Sequence, residues 1–202
     1  MRKAQLLGLS ALVVTAAVLV STLSQPEADA TPLPAASAFS VDAVHSALIF
    51  KVSYGGLSSF YGRFNEFSGS FHVDEADLSK SKFDITVKAS SVDSGNGKRD
   101  NHLRAPDFFS AKQYPEIRFV SKSVKVKGKE LDVTGELSFR GVKKDVQCKV
   151  TYGGQKKGRR GGMRAGFDGT MTIKREDFGV TFGKGHLGSD VTIQMGLTGT
   201  SK

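Results

Sequence analysis

Apolar and polar residues alternate with a period of two from about Ala47 to Leu197. Leu131, Val133, Gly135, Leu137 and Phe139 fall on one parity, with Asp132, Thr134, Glu136, Ser138 and Arg140 on the other. In an extended chain this puts one set on each face of a sheet. The pattern recurs with turn residues between the runs. It therefore reads as an all-β chain, one antiparallel sheet closed on itself around an apolar inside.

Eight runs are visible. Leu48, Phe50, Val52 and Tyr54 mark the first, and Gly55-Gly56 turns the chain. In the second, Phe60, Gly62 and Phe64 share one parity, while Phe67, Gly69, Phe71 and Val73 share the other. That change requires a bulge or kink near Asn65 and Glu66, the device by which a long strand turns a barrel corner. Phe83, Ile85, Val87 and Ala89 form the third run, and Ile117 and Phe119 open a less regular fourth. Leu131 to Phe139 is the fifth, and Val146, Cys148, Val150 and Tyr152 the sixth. Met163 to Ile173 is the seventh, and Val191, Ile193, Met195 and Leu197 the eighth. Between the third and fourth lies one long connection, Ser90 to Pro115, of a length that usually serves function. Lys98 to Arg104 suits a short helix ended by Pro106. Phe108 and Phe109 are too apolar for water, so at least one should plug or line a barrel end.

Arg2 and Lys3, the apolar stretch Leu6 to Val20 and the small-residue site Ala28-Asp29-Ala30 make residues 1–30 a signal peptide. An uncleaved anchor is the alternative, because Leu6 to Leu23 could almost span a bilayer. Either way the chain is expected in the periplasm or outside the cell. Residues 31–38 read as a Pro/Ala-rich tether and residues 39–202 as one domain. Cys148 is the only cysteine, so no intramolecular disulfide forms; sharing parity with Val146 and Val150, it reads as a buried small apolar residue.

The formal charge is +9. Much of it is local, in Lys156, Lys157, Arg159 and Arg160 and in Lys122, Lys125, Lys127 and Lys129. Such turns suit an anionic membrane surface or an acidic polymer, or are simply solvated. The basic runs lack interleaved aromatics for stacking on bases, so nucleic acid is not an expected partner. A homodimer is compatible with the sequence.

Gly183 to Gly188 has G-x-G-x-x-G spacing, but a period-two run follows where a dinucleotide site needs a helix. No G-x-S-x-G elbow exists, and His45 and Ser46, adjacent in sequence, would point to opposite faces of a strand. His45, His72, His102 and His186 lack paired metal-ligand spacing. No catalytic residue, metal or cofactor is assigned.

Eight strands enclose enough room for side chains alone or for one small ligand. Gly62, Gly69, Gly135 and Gly169 share parity with large apolar residues. Facing inward, they would leave volume for a ligand, or they would relieve strain where strands coil.

Several segments, in order, are similar to the YceI-like family of exported lipid-binding proteins. They are Asp42 to Ser46, Phe60 to Phe64 with Phe67, Gly69 and Phe71, Arg99 to Leu103 with Asp107 to Phe109, Tyr114-Pro115 and Phe119, Gly135 to Leu137 with Arg140 to Lys144, and Gly166-Phe167 with Lys174 to Gly179. The resemblance spans about Phe39 to Leu197. It implies an eight-stranded lipocalin-like barrel with one helical excursion, and an amphipathic tunnel holding a polyisoprenoid, such as an isoprenoid quinone, or a related lipid.

On that reading the tunnel is lined by Leu48, Phe50, Val52 and Phe64, then Phe71, Ile85 and Val87, then Phe108, Phe109 and Phe119. Leu137, Phe139 and Cys148, with Phe167, Met171, Ile193 and Met195, complete it. Tyr54, Arg99, Asp100 and His102 are the head-group candidates at the mouth, although Arg99 and Asp100 could equally be an ion pair holding the loop. Tyr54 stands where many relatives have histidine, and Ser94 where threonine is common, which implies an altered head-group preference. The expected function is non-catalytic binding, storage or transport of that lipid. An envelope structural or stress-related protein using its basic turns, and an enzyme acting on a lipid or quinone, are the alternatives.

Overall fold

The computed structural model describes residues 37–159 and 161–201; the leader and its cleavage site lie outside them. In chain order the strands are β1 Ser37–Val41, β2 Ala47–Tyr54, β3 Ser58–Phe64, β4 Phe67–Val73, β5 Lys82–Lys88 and β6 Val92–Asp93. The helix α1, Gly97–Arg104, precedes β7 Glu116–Lys127, β8 Glu130–Phe139, β9 Val142–Lys157, β10 Met163–Lys174 and β11 Leu187–Thr200. Neighbouring strands pair antiparallel, in a closed ring β1-β4-β5-β7-β8-β9-β10-β11 of eight strands.

The seam is β11. One edge pairs with β10 along its length. The other pairs with β2 from Leu187 to Gly196 and with β1 at Gly199 and Thr200. β1 and β2 are thus one broken strand, and β3 and β4 another. The first break is a single helical turn, Ala43–His45, capped by Asp42. The Asp42 carboxylate accepts from the Val44 amide at 3.2 Å, from His45 Nδ1 at 2.8 Å and from Arg164 of β10 at 2.6 Å. The second break falls at Asn65 and Glu66, where the parity changes. The alternation missed β1, whose first two residues lie in the segment read as a tether. Five residues following a Pro/Ala stretch are too few for a period to stand out.

The two ends of the barrel differ. The β7–β8 hairpin and the β9–β10 turn, with most of the clustered lysines, lie at one end. The β2–β3 hairpin, the β8–β9 turn, the β10–β11 connection and the excursion containing α1 lie at the other.

The half towards the lysine-rich end is solid. Phe167 packs its ring 5.2 Å from Phe71, 5.0 Å from Phe83 and 5.0 Å from Tyr152. Phe39 stacks on Phe71 at 5.3 Å. Val73, Leu131, Val133, Cys148 and Val150 fill the space around these rings. Register brings the rings to one level, since Phe71 faces Phe39 and Phe83 across β4, and Phe167 faces Tyr152 across β10.

This dry packing sets an alkaline limit. Cys148 is 2% exposed, and burial pushes its thiol from an ordinary 9.0 up to about 12. Burial also raises the Tyr152 phenol, helped by its hydrogen bond to Glu75 at 2.5 Å. Both groups ionise more readily when unfolded, so their contribution is complete below pH 9 and declines as pH rises towards 12. Melting temperature measured across that window should fall, and Cys148→Ala should make the fall shallower.

Candidate ligand cavity

The other half of the barrel is hollow, with a cavity of about 810 Å3. Its wall alternates out of the strands as period two requires. β2 contributes Leu48, Phe50 and Val52; β3, Phe60 and Phe64; β5, Ile85 and Val87; and β7, Ile117 and Phe119. Leu137 and Phe139 come from β8, Met171 and Ile173 from β10, and Val191, Ile193 and Met195 from β11. The aromatic cluster around Phe167 forms the floor. Tyr54, Arg99, His102, Phe182 and His186 are the lining residues exposed to solvent, so they mark the mouth.

Rings lying against the wall keep the axis clear. A Cβ on Gly62 would run into the Phe50 ring, and one on Gly135 would sit 2.5 Å from the Phe119 ring. The glycines therefore do not leave open pockets. Each lets a neighbouring aromatic lie flat along the sheet instead of projecting inwards. Gly169 is covered by Met195, and Gly69, at φ +146°, is a backbone irregularity against the Asp84 carbonyl.

The sheet is incomplete beside the mouth, because β6 pairs with β3 only at Arg63 and Phe64. The excursion fills this gap. Asn96 caps α1 by accepting from the Arg99 amide at 3.1 Å. Arg104 pins the helix by donating to the carbonyls of Ser90 at 2.7 Å and Val92 at 3.1 Å. Arg140 donates to the carbonyls of Pro106, at 2.6 Å, and Phe108. Phe109 then closes the wall, with ring centroids 5.4 Å from Phe64 and 5.7 Å from Phe139.

A second connection, residues 180–186, roofs the cavity and is held by Arg175, which is 4% exposed. Its guanidinium donates to the carbonyls of Gly188 at 2.9 Å, Val180 at 2.9 Å, Phe182 at 2.7 Å and Leu187 at 3.2 Å. Its Nη2 also lies 3.4 Å from a Glu176 carboxylate oxygen. The planar fork is thus committed to the loop and has little left to offer a ligand.

Most residues expected in the tunnel do line the cavity, but Phe71, Cys148 and Phe167 do not. They face inward below the floor, in the solid half. At the mouth, Tyr54, Arg99 and His102 converge, whereas Asp100 is buried. Asp100 accepts from the Ser94 amide at 2.8 Å and from the Ser94 hydroxyl, fixing the turn into α1. Arg99 donates to that hydroxyl at 2.8 Å and to the Ser94 carbonyl at 2.7 Å. Arg99 and Asp100 are therefore joined through Ser94 rather than as a direct pair. The Arg99 guanidinium also lies 4.3 Å from the Phe60 ring centroid. Phe60, Ile117, Ile173 and Val191 were missed as lining residues despite having the right parity. Leu103, Arg175, Val180, Phe182 and His186 lie off the strand pattern, where periodicity has nothing to say, and Leu187 opens β11 just before its register shift.

The lining contains no carboxylate. Its polar side chains are Tyr54, Arg99, His102, Arg175 and His186, and all but Arg175 lie at the mouth. Asp107 stands just outside, 2.9 Å from His102 Nε2. Among the described residues no three His, Cys, Asp or Glu side chains converge as metal ligands would. The site is a blind apolar tunnel under a ring of hydrogen-bond donors.

A closed eight-stranded antiparallel barrel with an internal apolar cavity is the class of protein that this fold and site define. The chain belongs to the YceI-like domain family, whose model matches residues 39–198. A UPF0312 protein of Pseudomonas aeruginosa is 39% identical over 155 residues, covering 77% of this chain and 81% of the relative. Among solved structures, Burkholderia cenocepacia BcnA superposes with a TM-score of 0.71 at 27% identity, covering 78% of this chain and 98% of that one. A polyisoprenoid binding domain from Saccharophagus degradans superposes with a TM-score of 0.61 at 18% identity, over 81% of this chain and 98% of that one. At that identity the last likeness is one of fold.

Two substitutions test the construction of the wall and roof. A Cβ at position 135 would also stand 2.6 Å from the Val120 carbonyl, which cannot move aside as a side chain can. Gly135→Ala should therefore cost about 1–3 kcal/mol by overpacking. Gly97→Ala, in open space at the start of α1, should instead be neutral or stabilising by about 0.4–1 kcal/mol. Denaturant midpoints give both values. Arg175→Met should strand four carbonyls and destabilise the fold by about 3 kcal/mol or more. Hydrogen exchange should locate the loosening at residues 180–188. Lys at position 175, with three donors for those carbonyls, should recover only part of the loss.

Proposed function

We propose that this protein binds, stores or carries one long-chain amphipathic lipid, a polyisoprenoid or isoprenoid quinone, and does no chemistry on it. The single observation that carries the reading is the blind 810 Å3 tunnel, whose polar side chains, apart from Arg175 in the roof, stand at its mouth. That volume falls within the roughly 300–1,000 Å3 typical of ligand sites. Each methylene moved from water into the tunnel contributes about 0.8 kcal/mol. Tail burial thus supplies the affinity and the mouth supplies orientation. Tyr54 and His186, with the part of the Arg99 guanidinium not bound to Ser94, offer O–H and N–H groups, which suit a head group rich in acceptors such as quinone carbonyls; His102 is engaged by Asp107. A wall without carboxylates offers no general base beside the tail, which favours binding over catalysis. The Saccharophagus protein's description as a polyisoprenoid binding domain agrees with this ligand class. Export to the periplasm or beyond, through the leader over residues 1–30, completes the reading: such lipids have negligible solubility in water and need a carrier to leave a membrane.

Binding should rise steeply with tail length until the tunnel is full. One five-carbon unit removes about 4 kcal/mol of gross burial energy when it is deleted. Dissociation constants for a series of quinones differing only in isoprenoid length should therefore span several orders of magnitude and then level off. Organic extracts of purified protein should contain such a lipid by mass spectrometry. Protein that is empty on extraction and indifferent to tail length would overturn the proposal.

A further inference from the structure

We infer that the rim of the cavity is a docking surface for an anionic lipid bilayer, with the β2–β3 hairpin tip inserted among the head groups. Three large apolar side chains stand in water around the mouth. Leu57 is 91% exposed, Tyr54 60% and Phe182 47%. Leu57 is not part of the cavity wall, so neither the tunnel nor the core accounts for it. An exposed apolar patch of this kind, next to a mouth, marks a contact site.

The patch is a single firm lip. The Gly55 amide donates to the His186 carbonyl at 2.6 Å, and Leu187 pairs with Tyr54 across the strands. Phe182 places its ring 4.8 Å from His102 and 5.3 Å from Phe108. Hairpin, roof loop and excursion thus meet around the opening.

Its charge complements a surface of acidic head groups. Exposed Lys98, Arg99 and Lys184 stand on the same elements, with His102 and His186 at the opening itself. Against them, Asp107 is bonded to His102. Asp177 lies 3.5 Å from Lys144, and Glu176 is held by Ser189 at 2.5 Å and by Arg175. The lysine-rich end has cations too: Lys122 and Lys127 are ion-paired, while Lys125, Lys129, Lys156 and Lys157 are exposed. It lacks an apolar lip to match, since Val126, 40% exposed, is the one exposed large apolar side chain among the described residues of its two turns. In sequence, residues 158–162 include no large apolar side chain. One inserted leucine with a few cations gives reversible attachment, as a shuttling carrier requires.

Docking itself stands apart from what fills the cavity; its purpose, passing a tail between bilayer and tunnel, rests on the lipid-carrier reading. Co-sedimentation of the purified exported protein with vesicles tests it, using phosphatidylcholine alone and phosphatidylcholine with about 30 mol % phosphatidylglycerol at low salt. Wild type should bind the anionic vesicles preferentially. Leu57→Asp should weaken that binding by about tenfold or more, with unchanged melting temperature and unchanged extracted lipid. Lys98→Glu with Lys184→Glu should abolish the preference for phosphatidylglycerol, while Lys156→Glu with Lys157→Glu should leave it intact. Loss of binding in the Lys156/Lys157 variant but not in Leu57→Asp would place the contact at the opposite end and overturn the inference. So would a wild type that ignores both vesicles, or one whose self-association in sedimentation velocity is lost with Leu57→Asp. Vesicle binding by protein that carries no extractable lipid would keep the docking surface and remove the carrier reading.

Discussion

The packing of Phe71, Phe83 and Tyr152 around Phe167 is the interaction on which the rest of this barrel depends. A hollow protein gives up the burial that normally offsets chain entropy. Here half of the barrel recovers it, concentrating its large rings at one level so that the other half can stay open. The cavity floor and the stability of the fold are therefore the same set of side chains. A lesion in the cluster would raise the floor's mobility and lower the melting temperature together.

The hollow half is kept open by two different devices. Along the strands, Gly62 and Gly135 let Phe50 and Phe119 lie flat against the sheet. Around the mouth and the roof, three arginines give hydrogen bonds to backbone carbonyls. Arg104 and Arg140 hold the excursion, and Arg175 holds the roof loop. Guanidinium groups suit this task because one rigid fork satisfies several carbonyls that no regular structure reaches. Tyr54 and His186 stand at the rim beside Arg99, which is itself bound to Ser94.

Parity along the strands was enough to read the barrel, the kink at Asn65–Glu66 and the face on which each wall residue sits. Parity carries no information about height. Phe71, Cys148 and Phe167 are on the inner face as expected, yet pairing register sets them below the floor, and register is a property of pairs of strands. The inward glycines were legible as gaps, but the rings that cover them come from neighbouring strands. Asp100 was expected at the mouth as a head-group candidate; a helical turn instead directs it to Ser94 and into the interior. Arg175 and the loop from Val180 to His186 show no period at all, so only the folded chain reveals that they roof the site.

A tunnel with a floor has a single way in and out. A chain-like guest must enter tail first and displace water past its own body, and it must leave head first by reversing every step. Each added carbon then lengthens the path as well as deepening the well, so residence time should grow with guest length faster than entry slows. Such a container cannot pass material through itself. A carrier built this way would exchange one occupant at a time, and the traffic it could support would be set by how often its open end met a donor or an acceptor.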